Sequence, residues 1–231
     1  MPTHLRPTAP TAGSALLPGD PKRAMDLAAK VMERPLMSNL SRGLWGYWGR
    51  DPNGNELTVQ STGIGGPSAA AVLGELAHLG VKRAIRVGTC VALDPGLAPG
   101  DRLVIDRALP GDGVGRTANS AGPLPTSEAL TRALGLEPRM VASLDLMAPP
   151  GSAAGKAWRA QGAAALDLST AALLAVAASL DLEIACALVV AVSASGEELT
   201  HEELDEAALA LGETAGRALF QVRSQPASPA S

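Results

Sequence analysis

Aromatic rings are nearly missing from this chain, which has one Phe, one Tyr and three Trp among 231 residues. A surface that stacks nucleic-acid bases needs several such rings. A net charge of −4 supplies no basic footprint for a phosphate backbone either. DNA and RNA are therefore excluded as principal partners. Only two cysteines occur, Cys90 and Cys186, both in apolar, strand-like surroundings. Buried free thiols in a reducing compartment fit them better than a disulfide. The longest apolar run, around 184–192, is too short to cross a bilayer. The first residues lack the basic start and apolar core of a signal peptide, so a cytoplasmic location and no membrane partner are expected. Charged residues make up 18% and hydrophobic ones 46%. With so few rings, Ala, Leu and Val must fill the core, which calls for close packing of elements.

What is present centres on 57–90, LTVQSTGIGGPSAAAVLGELAHLGVKRAIRVGTC. It reads as strand, glycine turn, helix, strand. Gly63, Gly65 and Gly66 permit backbone conformations that a side chain forbids, and Pro67 suits a first helical turn. The second strand carries Arg86 and Thr89 at its carboxyl end, the edge where open parallel sheets hold ligands. Upstream, PGDPKRA turns from a short strand at 15–17 into a helix over 22–32. That places Arg23 near a helix N-terminus, where a cation is electrostatically misplaced unless an anion joins it. The residue is either a solvated arginine or part of an anion site.

The remaining chain alternates strands and helices, so an α/β layered fold is expected. Strands are expected at 44–49, 103–108, 140–144, 163–167 and 184–192, and helices from Ser127, over 170–180 and over 200–222. DPNGN at 51–55 reads as a hairpin turn. In LWGYWG, Trp45 and Tyr47 alternate onto one face and Trp48 onto the other, which suits core packing or a partner subunit. Residues 110–126 read as a site-lining loop. The domain organisation is an N-terminal arm (1–14), one domain (15–222) and a disordered Ser/Pro/Ala tail (223–231).

PGDPKRA, STGIGGPSAAAVLGEL and RVGTC, in that order, resemble the type I nucleoside phosphorylase superfamily, with most likeness to uridine phosphorylases. The resemblance is strong over the first half and loose over the second. It implies a three-layer α/β/α fold whose mixed central sheet is partly closed as a barrel. It also implies dimers or hexamers that share sites, and phosphorolysis of a nucleoside to ribose-1-phosphate and free base. Inorganic phosphate is then the co-substrate, with no other cofactor. By motif, Gly19, Arg23, Arg86 and Thr89 would hold the phosphate, with Arg86 and Thr89 as the catalytic pair and Thr89 also touching the sugar. Arg42 and His4 would reach a neighbour's site, His4 toward the ribose 5′-hydroxyl.

The second half departs from the family pattern. Leu168 and Ser169 fall at the ribose positions, so Ser169 stands where family members carry a glutamate. Asp167 could lean in as a substitute. At the base, Met147 replaces a stacking phenylalanine. Gly151 and Ala153 fall where uridine phosphorylases supply a Gln and an Arg, and Ala194 falls where purine enzymes carry an acid. Glu197, Glu198 and Glu202 follow, more suited to a helix start than to catalysis. Gly43 matches a glutamate that binds a monovalent cation in some relatives, so no metal is expected. Two readings remain open: a phosphorylase for an unidentified nucleoside, or a family member that binds phosphate or nucleotide-like ligands without turnover. A hydrolase reading is weaker, because the phosphate arginines are kept.

Overall fold

In the computed structural model, residues 2–118 and 122–222 are described. The expected tail, 223–231, lies outside them. Alternating strands and helices assemble into one mixed sheet covered on both faces. Strands β1 (Ser14–Pro18), β4 (Glu56–Gln60) and β5 (Arg83–Ala92) run parallel, with β1 in the middle. Beyond β4 the sheet continues antiparallel through β3 (Gly46–Arg50) to β2 (Glu33–Asn39). On the other side of β5 the sheet closes. Strands β10 (Glu183–Val192), β6 (Arg102–Pro110), β8 (Pro138–Ser143) and β9 (Ala165–Asp167) return to β5, because β10 and β9 both pair with it. The result is a five-strand ring that shares β5 with an open sheet. A two-residue strand, β7 (Leu124–Pro125), flanks β6.

The period-2 pattern explains the layers. Along β10, Cys186, Leu188 and Val190 join one core, while Ala185, Ala187 and Val189 join the other. The first core contains helices α2 (Gly65–His78) and α6 (Thr170–Ser179). The second contains α1 (Pro21–Val31), α4 (Glu128–Ala133) and α7 (His201–Gln221). A strand buried on both faces must be apolar along its buried length, as β10 is after Glu183. Scarcity of rings is offset by close approach: a Cβ on Gly66 of α2 would sit 3.1 Å from Ala172 Cβ of α6. Helix α7 opens with a capping box between Thr200 and Glu203.

Several expectations shift. The 110–126 stretch contains a short helix, α3 (Gly113–Thr117), and a further helix, α5 (Ala153–Ala160), stands between the strands expected at 140–144 and 163–167. The N-terminal arm is docked on the domain. Leu5 and Ala12 are buried, and the backbone amides of Thr3, His4 and Leu5 all donate to the Glu75 carboxylate of α2. Tyr47 packs into the core with Trp45 beside it, while Trp48 is half-buried on the opposite face. Both cysteines are free and buried.

Candidate functional site

A cavity of about 480 Å³ opens at the carboxyl ends of β1, β4, β5 and β9. Two helices begin at its edge. Asp20 caps α1, its carboxylate accepting from Arg23 N at 2.9 Å, and Pro21 fills the first turn without wasting an amide. The β1–α1 and β4–α2 turns are joined by backbone bonds, Thr62 N to Pro18 O at 2.9 Å and Gly63 N to Gly19 O at 3.0 Å. Gly63 (φ 73°) and Gly65 (φ 81°) supply the left-handed backbone that this crossing requires. Both N-termini therefore bring positive dipole ends to one region.

Arg86 forms the floor of the cavity. It is 6% exposed, and its guanidinium is held on two of its three nitrogens. Nη2 donates to Asp167 Oδ2 at 3.0 Å and Nε donates to Thr170 Oγ1 at 3.2 Å, while the buried Nη1 has no partner. Asp167 is wholly buried and also accepts from Ser143 Oγ and from the amide and hydroxyl of Thr170. Gly88 makes room for this arrangement, since a Cβ there would lie 2.8 Å from Arg86 Nη2 and 2.8 Å from Leu188 Cδ2. A buried ion pair costs desolvation and is tolerated only with its hydrogen bonds satisfied. Here the carboxylate is saturated and the guanidinium keeps one donor for something else.

Arg23 lines the same cavity from α1. Its Nε lies 3.5 Å from Asp205 Oδ1 of α7, yet no acceptor is aligned for a hydrogen bond to it. The cation at a helix N-terminus is thus partly answered by an acid from a distant helix. Lys22 shares that acid, 3.3 Å from Asp205 and 2.7 Å from Asp26.

The cavity brings together Gly19, Arg23, Arg86, Thr89, Met147, Leu168 and Ser169 of the residues expected from sequence. It does not bring in Asp167, which lies behind Arg86 and is committed to it, so it is no substitute for a ribose carboxylate. Gly151 lies exposed in the turn before α5, and Ala194 lies in the loop after β10; neither lines the cavity. Arg42 projects from the turn between β2 and β3 with φ 60° and is exposed outside the cavity of its own chain. His4 likewise lies outside that cavity, its Nδ1 buried without a partner.

Residues that sequence reasoning missed are those acting through others: Thr170 and Ser143, which fix Asp167, and Asp205, which faces Arg23. Only Thr170 had a local signal, three positions after Asp167, the spacing of a capping contact. Cys90 lines the cavity, but burial pushes its thiol well above the ordinary range, and burial pushes Cys186 up to about 12. Both are neutral thiols at physiological pH. Among the described residues no group of three His, Cys, Asp or Glu side chains could hold a metal ion, and no helix is long and apolar enough to cross a membrane.

A sheet part ring and part open, with a cationic cavity at its strand ends, defines a phosphorylase-type α/β protein. The chain belongs to the phosphorylase superfamily, whose family model matches residues 14–222. It is 39% identical over 99 residues to a uridine phosphorylase of Klebsiella aerogenes, covering 43% of this chain and 38% of that protein. It is 31% identical over 179 residues to a DeoD-type purine nucleoside phosphorylase of Caldanaerobacter subterraneus, covering 72% of this chain and 77% of that protein. A DeoD-type purine nucleoside phosphorylase of Oceanobacillus iheyensis is 45% identical over 83 residues, 36% of this chain and 35% of that protein. The matched stretch thus spans well under half of the uridine phosphorylase.

Proposed function

We propose that this chain catalyses phosphorolysis of the N-glycosidic bond of a nucleoside, pyrimidine-type or otherwise unusual, giving ribose-1-phosphate and free base. The observation that carries this reading is the unpartnered, buried Nη1 of Arg86 at a cavity that Arg23 also lines. Two guanidiniums and two helix N-termini around one space call for an anion with several acceptor oxygens. Phosphate would sit between Arg23, Arg86 and the Gly19 amide, with the Thr89 hydroxyl between it and the sugar. Held there, out of bulk water, its oxygen attacks the anomeric carbon as the base departs. Met147 would cover the base, and Leu168 and Ser169 would flank the ribose. The chain would act as a dimer or hexamer in the cytoplasm, with Arg42 and His4 entering a neighbouring copy's cavity. That assignment agrees with their position outside their own.

The test is phosphate-dependent release of ribose-1-phosphate from a broad nucleoside panel, with Arg86→Lys as the comparison. Lys keeps a charge but loses the fork that bonds Asp167 and the anion together, so a drop of at least about 10²-fold is expected. Unchanged turnover in that variant would sink the reading. A second reading is binding without turnover. It is favoured by the lining itself, where Ser169 offers a hydroxyl but no charge to a cationic sugar, and the one carboxylate, Asp20, is committed to its helix cap. Tight ligand binding with no product over hours would support it. In that case Ser169→Glu should restore turnover by about 10²–10³-fold, the scale of one lost electrostatic contact.

A further inference from the structure

The cavity has two unlike walls. The sheet order places β1 and β4 on one side of β5, and β9 and β10 on the other. The β1 and β4 side holds the helix N-termini and Arg23. The opposite wall consists of Cys90, Val91, Met147, Leu168, Ser169 and Ala191. Among the described residues this second wall has no carboxyl, imidazole, ammonium, guanidinium or side-chain amide. The acids nearest these residues in sequence, Asp94, Asp145 and Asp167, lie outside the lining, and Asp167 is committed to Arg86, Ser143 and Thr170; Glu197 and Glu198 lie exposed beyond the end of β10. The Cys90 thiol points to Val189 O at 3.5 Å, inside the sheet, and burial holds its proton firmly.

Departure of an ordinary base from a nucleoside moves the C1′–N bond pair onto the ring, which becomes an anion unless a proton arrives. General-acid delivery of that proton is worth about 10²–10⁴-fold. The wall proposed to meet the base has only one hydroxyl, Ser169, and a tightly held thiol, groups far too weak for that task. A base whose glycosidic nitrogen system already bears a positive charge has no such need. When the phosphate oxygen bonds to C1′, the C1′–N pair neutralises the ring, and a neutral heterocycle leaves with no proton transferred. A hydrogen phosphate dianion and a cationic riboside then give ribose-1-phosphate monoanion and neutral base, so charge and atoms balance. The same wall has no fixed cation to repel a charged ring. Its thioether, Met147, is polarisable, and the bound phosphate opposite is the counterion.

We propose that the preferred substrates are N-quaternised nucleosides, such as an N-ribosylpyridinium or an N7-alkylated purine riboside. This rests on the phosphorolysis reading above and deepens it.

The experiment measures phosphate-dependent ribose-1-phosphate formation by the full chain with 7-methylguanosine, N-ribosylnicotinamide, guanosine and uridine, from pH 5.5 to 8.5. The quaternised pair should exceed the neutral pair in kcat/KM by at least about 10²-fold. The ratio of the guanosine rate to the N-ribosylnicotinamide rate should climb as pH falls and the guanine ring protonates, because the pyridinium ring carries no proton that titrates in this range and the phosphate contributes equally to both. Guanosine or uridine turned over as well as their charged counterparts would overturn the proposal while leaving phosphorolysis standing. Failure of all four, with phosphate still raising the melting temperature, would overturn the proposal and phosphorolysis together, leaving the binding reading.

Discussion

The two ends of the cavity are built by different means. The end proposed for the anion is made from turns whose backbone is dictated residue by residue: Asp20 caps α1, Gly63 and Gly65 take positive φ, and Gly88 clears space for Arg86. The end proposed for the base is made from side chains that come from four separate places, near 90, 147, 168 and 191, and, Ser169 apart, share only their apolar character. The first end tolerates almost no change, because each residue serves a neighbour's geometry. The second can be re-lined one side chain at a time. A fold of this kind can therefore keep one co-substrate while its other substrate drifts.

The comparison is broken most severely at Arg86. Arg86→Ala strips the saturated Asp167 carboxylate of its cation, and removing one partner of a buried pair costs about 3–5 kcal/mol of stability. Thermal melts should show that loss, and phosphate should no longer raise the melting temperature. Pairing Arg86→Met with Asp167→Asn should recover most of the stability and none of the phosphate response. A phosphate response that survives would remove Arg86 from the anion end.

Gly88→Ala is the next largest. Overpacking in such a site costs about 1–3 kcal/mol, and the displaced guanidinium should weaken phosphate binding about tenfold in a titration. Normal phosphate affinity in this variant would mean that the guanidinium's placement does not matter. Met147→Ala sharpens the contrast from the other side. It should leave phosphate affinity within about twofold while raising the KM for nucleoside, since a partly exposed thioether contributes contact rather than charge. Equal effects on both ligands would mean the two ends are not separable.

The smallest effect is on the arm. Burial alone would raise the Glu75 pKa, but the amides of Leu5, Thr3 and His4 outweigh it and hold the carboxyl below its ordinary value. A depressed folded-state pKa contributes stability above the unfolded value and loses it as pH falls through the folded one. Amide exchange at residues 3–5 should thus be slow and unchanging from neutral pH to about 5, then accelerate in more acidic buffer once the intrinsic pH dependence is removed. Acceleration on raising the pH instead would contradict the sign.

Legibility in the sequence follows the same division. The proposed anion end was readable because glycine, proline and capping chemistry are local: Arg23 was expected at a helix N-terminus and Arg86, 63 positions on, at a strand end, and both line the cavity. Helices α1 and α7 likewise stand on clear periodicity, whereas α6 and β10 are apolar on every side and were read from the length and residue types of their apolar runs. Strand β2 carries no such signal, because ERPLMSN does not alternate cleanly and Arg34 adopts φ 50°. Closure of the ring could not be read either, since it depends on pairing Cys186 with Arg86 across a hundred residues of sequence. The arm's docking was hidden for a related reason: a lone Glu75 on an amphipathic helix looks like any solvated acid. The base end suffered most, and Gly151 and Ala194, placed there by motif position, lie elsewhere because α5 and the β10–α7 loop take their own course.

Strand β5 is the one strand common to the ring and the open sheet, and it carries Arg86, Gly88, Thr89 and Cys90. Any shear of the barrel against the flat half must pass through it, as torque passes through the shared leaf of a hinge. A force that pried β10 from β5, whether denaturant or a wedge mutation, would silence the pocket well before the molecule lost its overall shape.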